Sequence, residues 1–175
     1  MNSVFVNRII RACKLDVSVY EEVEADKSAT LQAAIVVVLS ITALGIGAFL
    51  TYGAFNVLIP IIAGLLGWFV TSLLIYFVGA KLFPDQKTQS NLGELLRTIG
   101  FSYSPGLIRA FSFNQDLLVI TFYGSGIWSL IAMIIAVRQA LDYQSTWRAV
   151  GVVAIVALFQ AYVAFKLGLM PSGNF

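Results

Sequence analysis

Histidine is absent from this 175-residue chain, and cysteine occurs once. Without histidine, a Ser-His-Asp hydrolytic triad and a histidine-ligated zinc or haem site are excluded within the chain. The lone Cys13 can build neither an intrachain disulfide nor a cysteine-based metal site. Charge is scarce too: 11% of residues are charged and 59% hydrophobic, whereas an ordinary globular domain carries about a quarter charged residues. A net charge of +2 gives no basis for a nucleic-acid partner. No Asp, Glu or Lys falls in the middle of a hydrophobic segment, so ion-coupled transport lacks its usual mid-bilayer group. Gly45 and Gly47, and Gly64 and Gly67, lie inside apolar runs rather than between a strand and a helix, which excludes phosphate loops.

What the chain has is long apolar runs, with a mean hydropathy of +0.86. From Ser28 to Ala80 no side chain is charged, and a bilayer core of about 30 Å asks for about 20 apolar residues per helix. That stretch therefore makes two spans, about 30–50 and 57–80, with Asp26 or Ser28 capping the first and Pro60 tolerated in the first turn of the second. Two further spans are expected at 117–137 and 147–167. Between the first pair of spans and this second pair a third segment, 93–113, is shorter in apolar length: eleven uncharged residues separate Arg97 from Arg109, about 17 Å of helix. Pro105 and Gly106 interrupt it, with Ser102 and Ser104 available to bond the freed carbonyls. It reads either as a kinked span or as a re-entrant hairpin.

Ahead of the spans, residues 1–27 form a cytoplasmic or interfacial segment. On a helical wheel Phe5, Val6, Ile9, Ile10, Ala12 and Cys13 fall on one half, and Asn7, Arg8, Arg11 and Lys14 on the other. Such a helix lies flat in a membrane interface with Arg8, Arg11 and Lys14 on lipid phosphate, or packs its apolar face on the bundle. The acidic residues Glu21, Glu22, Glu24 and Asp26 follow before any long apolar run, which argues against a cleavable signal peptide. With five crossings and the N-terminus in the cytoplasm, only Arg109 and Lys166 lie outside; this asymmetry places the N-terminus in the cytoplasm. The re-entrant alternative gives the same count.

Small residues draw two stripes at helical spacing, Ser125, Ser129, Ala132 and Ala136 on the fourth span, and Ala154, Ala157, Ala161, Ala164 and Gly168 on the fifth. Stripes of this kind let membrane helices approach closely, within the chain or with another subunit. Tyr103, with Ser102 and Ser104 and the flanking Arg97 and Arg109, is the candidate polar site.

In chain order, Arg8-Ile9-Ile10-Arg11, Tyr20-Glu21-Glu22-Val23-Glu24-Ala25-Asp26, Gly67-Trp68, Leu92-Gly93-Glu94-Leu95-Leu96-Arg97, Gly100-Phe101-Ser102-Tyr103-Ser104-Pro105 and Ala136-Val137-Arg138-Gln139-Ala140-Leu141 resemble the prokaryotic branch of the Yip1-domain family. The resemblance implies five membrane helices with a cytoplasmic N-terminus, and so favours the kinked span. Eukaryotic relatives bind small prenylated GTPases, but their Asp-Leu-Tyr-Gly-Pro type of motif is not present here. Taken together, the expectation is an all-α, polytopic membrane helix bundle: five transmembrane helices, the third kinked at Pro105, plus an N-terminal amphipathic interfacial helix, as one domain over 1–175. It is expected to be a non-enzymatic, multi-pass protein of a prokaryotic inner membrane, acting as organiser or accessory subunit of a larger assembly. The alternative is a small transporter or permease component. Partners would be membrane lipids and other subunits or copies of itself. No cofactor is predicted, although apolar grooves could hold a lipid, pigment or quinone.

Overall fold

The computed structural model describes residues 3–53 and 58–167. Seven α-helices occur among them: α1 Ser3–Cys13, α2 Val17–Ala25, α3 Ala29–Tyr52, α4 Leu58–Ile75, α5 Leu92–Phe101, α6 Gln115–Ala140 and α7 Thr146–Lys166. A π-helix, Tyr76–Leu82, continues α4, and a 3-10 helix, Ser104–Phe111, follows α5. No strand occurs among the described residues. Four helices are long and apolar enough to cross a membrane: Ala29–Tyr52, Leu58–Leu82, Gln115–Ala140 and Thr146–Lys166. Each agrees with its expected span to within about a turn. Val57, expected to open the second span, and Gly168, expected to end the fifth helix's small-residue stripe, lie outside the described residues.

α3 is the central post. It buries 44% of its most apolar stretch, against 17% for α4 and for α6. The chain enters it through Asp26, whose carboxylate accepts from the Ser28 N–H at 2.9 Å and from the Ser28 hydroxyl at 2.6 Å. Ser28 itself makes no side-chain cap bond. At the far end Gly53 closes the helix in the left-handed region, φ 78°, with its N–H on the Phe49 carbonyl, a conformation that costs glycine little.

The third hydrophobic segment differs from a single kinked helix over 93–113. α5 opens with a capping box between Asn91 and Glu94 and ends at Phe101. Pro105 lies in the first turn of the 3-10 helix. Proline has no N–H and crowds the carbonyl four residues back, which kinks or breaks an α-helix, and here the α-helix stops at Phe101. The Ser104 hydroxyl donates to the Phe101 carbonyl and the Ser102 hydroxyl to the Ile99 carbonyl, both at 2.7 Å. These bonds satisfy backbone groups that water cannot reach.

The broken segment runs beside α3 in the same direction. Gly100 sits against Ala33, Gly106 against Ser40, and Gly47 against the carbonyl of Arg109 and the side chain of Ser112. The positions on α3 are seven residues apart, so these contacts span about 21 Å of helix. A Cβ at Gly47 would lie 2.5 Å from the Arg109 carbonyl oxygen, and one at Gly100 would lie 2.6 Å from the Ala33 Cβ. α4 joins this core through Trp68, whose indole N–H donates to the Leu96 carbonyl at 3.0 Å. α7 joins α4 through Gln160, whose amide donates to the Thr71 hydroxyl at 2.9 Å.

Gly47→Ala must push backbone against backbone and is expected to lower stability in detergent by about 1–3 kcal/mol. Gly67→Ala meets nothing within 4 Å and is expected to raise it by about 0.5–1 kcal/mol through helix propensity. Thermal melts followed by circular dichroism check both.

Candidate functional site

The candidate residues fall into three separate neighbourhoods. The first is the charged cap at the end where α3 begins. Arg8 is 6% exposed. Its Nε donates to Glu22 at 2.8 Å, and its Nη1 donates to Asp26 at 2.8 Å and to the Gln32 side chain at 3.0 Å. Arg11 donates to Asp16 at 2.8 Å and pairs also with Glu22. The basic face of α1 is thus turned onto the carboxylates of the α2 region, and the Arg8 and Arg11 guanidiniums, expected on lipid phosphate if the helix lies in the interface, are engaged within the chain. Lys14 is exposed. The apolar face packs inward, with Phe5, Ile9 and Ala12 in the core and the Phe5 ring edge-on to Phe101 at 6.4 Å. The acidic run directly after the basic helix was the signal for this pairing.

Arg97 fastens the same cap to the bundle. Its guanidinium donates to the Val23 carbonyl at 2.9 Å and to the Glu24 carbonyl. Cations at a helix C-terminus satisfy its orphan carbonyls and oppose the dipole, so Arg97 clamps the end of α2. Glu21 accepts from the Gln139 amide at 2.8 Å, tying α2 to α6. Glu24, which sequence reasoning treated only as part of the acidic run, sits where its carboxyl is raised to about 7, chiefly by desolvation and then by Glu94 and Asp142. Asp16 is held down at about 2 by the Arg11 guanidinium.

The second neighbourhood surrounds the break. Ser102 and Ser104 are buried and bonded to backbone. Tyr103 lines a cavity of about 210 Å³ with Gly126, Ser129, Leu130 and Met133. Arg109 is remote from Arg97: its Nε donates to the Ser125 hydroxyl at 2.7 Å, and the guanidinium lies 5.2 Å from the Phe122 ring centre. The two arginines therefore do not form one site. On α6, Ser125, Ala132 and Ala136 are buried within the bundle, with Ser129 half-buried at the Tyr103 cavity. On α7 the stripe faces outward: Ala154, Ala157 and Ala161 are exposed and Ala164 half-buried, while Ala149, Val152, Val153 and Val156 make the inward face.

The third neighbourhood was not singled out from the sequence. A groove of about 400 Å³ opens between the π-helical end of α4 and the first turns of α7, with Arg148 on its rim. The Tyr143 hydroxyl lies 2.9 Å from the carbonyl oxygens of Gly79 and Phe83 and holds the π-helix against the α6–α7 connection. Among the described residues no three His, Cys, Asp or Glu side chains converge as a metal site would require.

Apolar helices long enough to cross a bilayer, under a charged cap of two short helices, define a multi-pass integral membrane protein. The Yip1 domain model matches residues 17–167, from the first residue of α2 to the end of α7. The chain belongs to the Yip1-domain family. No curated protein and no solved structure matches it.

The displaced Glu24 sets a pH dependence. Folded Glu24 keeps its proton up to about 7, while the unfolded chain releases it near the ordinary 4.5. The native state therefore binds more protons across that window, and stability falls as pH rises through it. Asp16, Glu22 and Asp26 have lowered pKa values and act in the opposite sense, below the window. The melting temperature is expected to decline between pH 4.5 and 7 in the natural chain and to flatten in Glu24→Gln.

Proposed function

We propose that the protein is a non-enzymatic organiser or accessory subunit of a larger membrane assembly. In this reading five segments cross a prokaryotic inner membrane, and the α1–α2 cap lies on the cytoplasmic side. The observation that carries the subunit role is the outward stripe of α7: Ala154, Ala157 and Ala161 are exposed, although small residues at this spacing are what membrane helices use to meet. On α6 the chain itself buries Ser125, Ala132 and Ala136, so the α7 stripe is the one available for a helix of another subunit. The topology is supported by the run of contacts from Gly100 beside Ala33 to Gly47 beside Arg109. That run carries the third segment along α3 from the cap end toward the far end. The distribution of Lys and Arg supports the orientation.

The Tyr103 cavity favours a second reading, a small transporter or permease component, because such proteins build their substrate and ion sites at broken helices. Its size and its mostly apolar walls of Gly126, Leu130 and Met133 make it the weaker of the two.

Gentle extraction followed by size-exclusion chromatography and mass spectrometry tests the choice. Co-migration with other membrane subunits at fixed ratio is expected, and Ala157→Leu with Ala161→Leu should release the protein from them without lowering its melting temperature. A protein that migrates alone and drives substrate flux in liposomes would overturn the subunit reading in favour of the transporter.

A further inference from the structure

The groove at the head of α7 has the form of an amphiphile site. Arg148, Gly151, Val152 and Ile155 recur at i, i+3, i+4 and i+7, so they share one face of α7 and form one wall. Phe83 and Pro84, where the π-helix ends, form the opposite wall. At its polar end Arg148 uses one nitrogen, Nη1, which lies 3.2 Å from the Pro84 carbonyl oxygen and 3.6 Å from an Asp85 carboxylate oxygen. Its Nε and Nη2 make no hydrogen bond among the described residues, and half of the side chain is exposed. Asp85 is 13% exposed and accepts from the Gln86 and Gln144 N–H groups. It steers Arg148 without covering it.

The apolar end is equally unfinished. A Cβ on Gly151 would meet nothing within 4 Å, so the floor of the groove is bare helix backbone. Farther along, the Gln160–Thr71 bond joins α7 to α4. The height along α7 fits a lipid as well. Trp147, the neighbour of Arg148, is 81% exposed, as indole rings are at headgroup depth. The Ser145 hydroxyl makes no cap bond, which leaves the positive end of the α7 dipole beside the Arg148 rim.

We propose that this groove binds a membrane glycerophospholipid, with its phosphate on the Arg148 guanidinium and one acyl chain lying over Gly151 and Ile155. The charge on the rim selects phosphate and the bare apolar wall selects the chain. A soluble anion would leave the wall uncovered, and an uncharged lipid would leave the guanidinium unanswered.

Native mass spectrometry of the full chain in detergent, titrated with phosphatidylglycerol or with a diacylglycerol of the same chains, tests the proposal. Phosphatidylglycerol should be retained in preference to diacylglycerol. Arg148→Gln should weaken its retention about fivefold, the factor that about 1 kcal/mol per headgroup contact implies. Gly151→Leu, which fills the floor from a position with room for it, should also release the lipid while circular dichroism and elution volume stay unchanged. Asp85→Asn, which keeps an acceptor and removes the competing charge, should tighten binding. Equal retention of diacylglycerol, an unaltered Gly151→Leu, weaker binding in Asp85→Asn, or displacement of the lipid by inorganic phosphate would each overturn it.

Discussion

Between α3 and the broken third segment the backbones come so close that several side chains have no room to exist. Gly100 meets Ala33, Gly106 meets Ser40, and Gly47 meets the carbonyl of Arg109. In lipid, an apolar side chain gains nothing by leaving acyl chains for another helix, so close van der Waals contact is what holds helices together. The rest of the molecule hangs on this pair. α4 reaches it through Trp68 and Leu96, α6 through Ser125 and Arg109, and the α1–α2 cap through Arg97. α7 is attached at one remove, through α4 and α6.

The close approach to α3 runs past a break in the third segment. Pro105 interrupts the helix, yet Ser102 and Ser104 return their hydroxyls to the backbone within the same turn. The polarity of Phe101-Ser102-Tyr103-Ser104-Pro105-Gly106 is therefore mostly consumed in repairing the chain, and only Tyr103 is left facing a cavity. That division separates the residues needed for the fold from the few available to a ligand. The available ones lie at the sides of the bundle: Tyr103 beside α6, the alanine stripe of α7, and the groove beneath Arg148.

Much of the architecture was legible because hydropathy reports the bilayer directly: the runs around Ser28–Ala80, Leu117–Val137 and Trp147–Lys166 are long enough that nothing else accommodates them. The proline break and the serines that repair it were legible too, being local chemistry. What the sequence did not disclose depends on partners distant along the chain. Which carboxylates Arg8 meets depends on how α1 folds back on α2 and the start of α3, and two stripes with the same spacing, on α6 and α7, ended in opposite environments. Glu24 and Arg148 carried no local signature at all. Their character comes from Glu94, Asp142 and Arg97 in one case and from Pro84, Asp85 and the π-helical end of α4 in the other.

On the proposed topology the third segment crosses alongside α3, so Asn114, at the start of α6, faces the outside, and Gln86 and Gln144 face the cytoplasm. Single-cysteine labelling with a membrane-impermeant maleimide, in a chain carrying Cys13→Ala, measures this directly. Asn114→Cys is expected to react in intact spheroplasts, and Gln86→Cys and Gln144→Cys only after permeabilisation. A protected Asn114→Cys together with a reactive Gln144→Cys would make the third segment a re-entrant hairpin and overturn the five-span topology.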